Sequence, residues 1–106
     1  MVGVVETKAT GLRQASDQYV NDLLNANNYL RAQRSYQRAT LDGRDALLRR
    51  LSGVSNVTGK NEFVDVYTTL TDDGRLLYLI QVAPQSDYQL YTRAFSDMAR
   101  SLRVRG

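Results

Sequence analysis

Two of the side chains that most often do chemistry are missing: the 106 residues contain no histidine and no cysteine. Ser-His-Asp and Cys-His catalysis are therefore excluded, along with thiolate chemistry and disulfides. A zinc ion would find only carboxylates, an unusual donor set, so no metal and no cofactor is expected. Carboxylates, tyrosines and arginines remain. Asp72 and Asp73 are adjacent and Asp42 lies close to Asp45, but these pairs flank Gly74 and Gly43, where aspartate serves a turn rather than acid–base work. Asp65 stands among apolar neighbours, and burial would oblige it to find an arginine or to keep its proton. An enzyme using Asp65 with Tyr67 or Tyr78 would need a deep pocket around them. No catalytic residue is assigned. Neither a glycine-rich phosphate loop nor a calcium-loop pattern occurs.

The arginines carry more geometric content. Net charge is +3, and the only lysines are Lys8 and Lys60. With Asp42-Gly43 as a two-residue turn, Arg38 opposes Leu47, Tyr36 opposes Arg49, and Arg34 opposes Leu51. Arg34, Arg38 and Arg49 then surround Tyr36 on one sheet face. Such a cluster can hold phosphate or stack on a base. More commonly, arginines guard a sheet edge against aggregation. These four residues are the candidate contacts for a partner or an anion, with nucleic acid the less favoured ligand.

The elements that position these groups follow from periodicity. "VGVVE", 2–6, is short and β-branched, a first strand. Leu12, Ala15, Tyr19, Val20, Leu23 and Leu24 recur at helical spacing, and "NANN" ends that helix through asparagine's tolerance of the left-handed conformation. "GRDALLRRLSG" fits two helical turns or a strand; its length and bounding glycines favour a strand after the Asp42-Gly43 turn, with the partner strand running back towards Arg31. "EFVDVYTTLTDDGRLLYLIQVAP" is a second hairpin. With Asp73-Gly74 as a two-residue turn, Thr71 faces Leu76, grouping Phe63 and Tyr67 with Tyr78, Ile80 and Val82, and Val64, Val66 and Leu70 with Leu77 and Leu79.

Both faces of that hairpin are apolar, so it needs cover above and below. Tyr88, Tyr91, Phe95, Met98 and Leu102 form the stripe of a second helix, opened by a Ser86/Gln89 capping box and closed by Arg100, Arg103 and Arg105 at the negative end of its dipole. The expected architecture is α+β: a mostly antiparallel sheet in a three-layer α/β/α sandwich, order β-α-β-β-β-β-α, a single domain over 1–106. A helix on each face is expected to leave no reactive hollow. No apolar run approaches the roughly 20 residues of a membrane span. "MVGVVETKAT" has no basic segment followed by an apolar block, so no signal peptide is expected here.

Several segments resemble the C-terminal accessory domain that follows the catalytic unit in some bacterial HExxH zinc metallopeptidases: "DGRDALLRRLSG" at 42–53, "SNVTG" at 55–59, "VYTTLTDDGRLLYLIQVAPQSDY" at 66–88 and "YTRAFSDMARSLRV" at 91–104. These are turn and core patterns, not catalytic motifs. The resemblance implies a PsbP-like α/β fold used for noncatalytic binding, and it favours a strand for "RDALLRRL". Proteolysis is not carried over, because HExxH needs two histidines. The resulting expectation is an accessory, protein-interaction fragment of an exported parent in the periplasm or cell envelope, with the origin of Met1 left open. Its partner would be another protein or the peptidase domain of the same parent chain. The alternative is a small basic module binding nucleic acid or another polyanion through its arginine/tyrosine face.

Overall fold

The computed structural model describes residues 1–103. Its elements run β1 (Val2–Val5), α1 (Leu12–Ala26), β2 (Arg31–Ala32), β3 (Gln37–Leu41), β4 (Arg44–Val54), β5 (Asn61–Leu70), β6 (Leu76–Pro84) and α2 (Tyr88–Ser101), with a 3-10 turn at Gln85–Asp87. The fold is α+β. Among the described residues, six strands form one antiparallel sheet ordered β1-β6-β5-β4-β2, with β3 also on β4. The ambiguous "RDALLRRL" is therefore strand.

Asp42 and Gly43 take φ of 56° and 69°, the left-handed pair that a two-residue hairpin demands, and Arg38 faces Leu47 as expected. Further from the turn the expected register fails. The partner strand is broken into β2 and β3 by a bend at 33–36, so Ala32, not Arg34, faces Leu51. Two extra residues are absorbed where Gln33 donates its N–H to the Arg50 carbonyl.

The second hairpin is shifted by one residue: Leu70, not Thr71, faces Leu76. Its loop has three residues. Thr71 N–H bonds the Arg75 carbonyl, Gly74 N–H bonds the Thr71 carbonyl, and Gly74 has φ 82°, a type I turn closed by a left-handed glycine. Asp73 is held there by Thr71 Oγ1 and Arg75 Nε. A one-residue slip normally turns an apolar face to water. Here both faces are apolar, so the pattern could not reveal it.

The groupings across the hairpin are accordingly exchanged. Val64, Val66 and Ile80 join Val20 of α1, Leu30 and Leu51 in one core, with Tyr19, Leu23, Leu24 and Tyr78 packed against it. Tyr67, Leu77 and Leu79 join Leu41, Ala46 and Ala99 of α2 in another. Alternation along β5 and β6 points the two sets to opposite faces. Leu77 and Leu79 are sealed from solvent. Inside the first core, Ser16 and Thr68 satisfy each other by a 2.6 Å hydroxyl bond.

Helix ends also depart from expectation. α1 stops where Asn27 leaves the helical region at φ −133°, not in the left-handed conformation, with its N–H and Nδ2 both donating to the Leu23 carbonyl. The expected Ser86/Gln89 box is absent: the 3-10 turn delays α2, whose N-cap is Asp87 with no side-chain cap. At the other end Arg103 lies outside α2 and its Nη1 donates to the Arg100 and Leu102 carbonyls. Arg105 lies outside the described residues.

Gly53 marks a close approach. Tyr29 crosses β4 there, and its hydroxyl reaches Glu62, the β5 partner of Gly53, at 2.9 Å. A β-carbon at residue 53 would overlap the Tyr29 carbonyl oxygen. That neighbour is backbone and cannot swing aside, so Gly53→Ala should cost about 1–3 kcal/mol. The expected observation is a lower denaturant midpoint with an unchanged m-value.

Candidate functional site

On the face covered by α2, a polar row crosses the middle of the sheet. Register places Arg50 opposite Asp65 and Asp65 opposite Gln81. Asp65 is 2% exposed, and a bare carboxylate could not persist there. Arg50 answers with both ends of its fork, Nε to Oδ1 at 2.8 Å and Nη2 to Oδ2 at 3.2 Å. The guanidinium is held by aromatics, its Cζ 4.0 Å from the Tyr88 ring centre and 5.1 Å from that of Phe63. Those rings meet edge to face at 4.7 Å. Gln81 Nε2 donates to Met98 Sδ at 3.0 Å, while Gln81 Oε1 is buried without a partner.

Beside this pair, between α2 and the β3–β4 edge, lies a cleft of about 420 Å³. A hollow is therefore present although each face of the sheet carries a helix. Asp65 and Tyr67 form part of its lining, with Ala39 and Leu48, and its mouth is bordered by Arg38, Ser96 and Arg100. Tyr67 is 3% exposed. Burial, reinforced by the Asp65 charge against the opposing pull of Arg50, pushes its phenol up to about 12. It is a proton donor at neutral pH, and both Asp65 oxygens are engaged by Arg50. The geometry binds more readily than it abstracts protons. Tyr78 is elsewhere, stacked on Tyr19 at 4.7 Å on the α1 side.

The arginine/tyrosine cluster is assembled differently from the expectation. Arg49 lies 4.7 Å over the Tyr36 ring, joined by Arg13 of α1 at 4.6 Å. Tyr36 donates to Asp17 at 2.7 Å, and Arg49 Nε donates to the Gln33 carbonyl at 2.6 Å. Arg34 is exposed in the bend and Arg38 borders the cleft; neither has an ion pair among the described residues. Arg13 and Asp17 were hidden because only tertiary packing brings α1 beside the bend. In contrast, Tyr88, Thr92, Ser96 and Arg100 sit four apart along α2, a polar line beside its apolar stripe that the sequence already carried. No group of three or more Asp or Glu side chains able to hold a metal occurs among the described residues, and no helix is long and apolar enough to cross a membrane.

The other flank of α2 is apolar and wet. Only Ala99 of this helix is fully buried, whereas Leu90 is 78%, Met98 53% and Tyr91 42% exposed. Tyr91 leans on Phe95 at 5.8 Å.

Removing one member of the central ion pair leaves the other charged and buried, so Arg50→Met or Asp65→Leu alone should cost about 3–5 kcal/mol. The double variant should recover most of that loss in the same unfolding measurement. A pH dependence follows from the tyrosines. Tyr36, raised to about 12 chiefly by burial and then by its bond to Asp17, and Tyr67 both ionise near 10 when unfolded. The folded state thus holds protons that the unfolded state loses, and this contribution is complete below pH 10 and lost as pH rises towards 12. Denaturant midpoints should stay level to about pH 10 and then fall, less steeply in Tyr67→Phe.

Neither a scan of protein-family models nor a search of curated proteins matches this chain.

Proposed function

We propose that this chain is a noncatalytic accessory module acting by protein contact, a piece of an exported bacterial cell-envelope protein in which it follows a zinc-peptidase unit and docks onto it. The observation that carries the reading is the solvent-facing apolar flank of α2, Leu90, Tyr91 and Met98. An amphipathic helix with large side chains left in water offers a surface that another protein can cover. The turn and core segments resembling metallopeptidase accessory domains supply the identity of the partner. A PsbP-like helix–sheet–helix layering belongs to the same proposal, supported by Val20 and Ala99 lying in cores on opposite faces. The cleft on the other side of α2 is not needed for this role.

The test uses the parent gene product. Its peptidase portion and this chain, purified separately, should associate with an affinity little changed by added salt. Leu90→Asp and Met98→Asp should each weaken association tenfold or more, while Arg49→Gln should leave it unchanged. A parent lacking a zinc-peptidase segment, or purified parts that fail to associate, would refute the reading. Binding to a polyanion that weakens steeply with salt and requires Arg49 would favour the basic-module alternative instead.

A further inference from the structure

We propose that the cleft between α2 and the β3–β4 edge binds a small molecule through a phosphate or carboxylate group. Three features select that chemistry, and none depends on the docking role of α2.

The first is an imbalance of hydrogen-bonding groups. Arg50 uses Nε and Nη2 on Asp65, which leaves its Nη1 hydrogens without an acceptor among the described residues. Among the described residues Tyr67 has no hydrogen-bond partner; the residue is 3% exposed and lines the cleft. Ser96 Oγ accepts from Arg100 Nη2 at 3.4 Å, which leaves the serine hydrogen free to donate. The one carboxylate in the lining, Asp65, has both oxygens occupied. Free donors on Arg50, Tyr67 and Ser96 thus line the hollow while its one carboxylate is already engaged, so a ligand that brings oxygens complements them.

The second is charge. Asp65 cancels Arg50, and Arg100 then leaves the lining net positive; Arg38 also lines the cleft, but its register opposite Leu47 turns its side chain to the α1 face. Among the described residues the Arg100 guanidinium is held by a long bond to Ser96 and a 3.7 Å contact with Asp97, so it can turn inward. A positive concavity with apolar walls concentrates anions. The third is rigidity and size. Arg50 is locked by Asp65 and by Tyr88 and Phe63, so the central donor is already oriented. About 420 Å³ suits a small ligand.

The experiment is an amide NMR titration of the full chain at constant ionic strength, with inorganic phosphate in one arm and acetate in the other. Saturable shifts are expected at Leu48, Arg50, Tyr67, Ser96 and Arg100 in at least one arm, and the arm that saturates identifies the group. Tyr67→Phe and Arg100→Gln should each weaken that binding about tenfold, the scale of one hydrogen bond to a charged group. Arg49→Gln, on the other face, should not change it. Arg50 is left intact because its loss strands Asp65. If Tyr67→Phe fails to fold, the exposed Arg100→Gln still decides. Shifts that never saturate in either arm, or that scatter over arginines of both faces, would overturn the proposal. So would affinity unchanged in Arg100→Gln.

Discussion

The structure depends on one constraint: β5 and β6 are apolar on both sides and therefore cannot tolerate an open face. β5 lies mid-sheet between β4 and β6, so its edges are closed by backbone hydrogen bonds and its faces must be closed by side chains from elsewhere. Val20 of α1 and Ala99 of α2 reach the two cores. Each helix carries a single apolar stripe, so each can serve one face only. Satisfying the hairpin thereby uses both helices.

That same constraint makes Asp65 a costly side chain, since it is a nearly buried charge in the middle of a central strand. Its neutralisation by Arg50 has wider consequences than a local ion pair. The fork of Arg50 is drawn inward, its flat face becomes a platform for Tyr88 at the start of α2, and the helix is anchored over the central strands. The hollow lies between α2 and the β3–β4 edge. Folding has thus produced a rigid guanidinium beside an unpartnered phenol. The Tyr67 phenol, raised to about 12 by burial, keeps its proton at neutral pH and can donate it.

Legibility of these groups differed by how far apart in sequence their partners lie. Asp65 stood out because a charged residue interrupts an apolar run, and the need for an arginine was deducible. Which arginine was not, since Arg50 faces Asp65 only once β4 and β5 are in register. Tyr36 and Arg49 were rightly associated through the Asp42-Gly43 turn. Arg34 was not, because the 33–36 bend absorbs two residues before β2 resumes pairing. Arg13 and Asp17, which complete the Tyr36 cluster, belong to a helix whose placement no local rule specifies. Periodicity shows that α2 carries an apolar stripe without showing how much of it the sheet can cover, and Tyr91 and Met98 of that stripe stay partly in water.

Local chemistry decided what local chemistry can decide. The left-handed demand at Asp42 and Gly43 set a two-residue turn, β-branched and aromatic runs set the strands, and spacing of three and four set both helices. All of these are energies of neighbouring residues. Register in the second hairpin is different in kind, because two-residue and three-residue loops both accept a glycine after the aspartates and a doubly apolar strand penalises neither. Only the assembled packing of Val64, Val66 and Ile80 on one side and of Tyr67, Leu77 and Leu79 on the other discriminates between them. The cleft, too, exists only in three dimensions, as the space enclosed between α2, tethered by Tyr88 to Arg50, and the strands β3, β4 and β5.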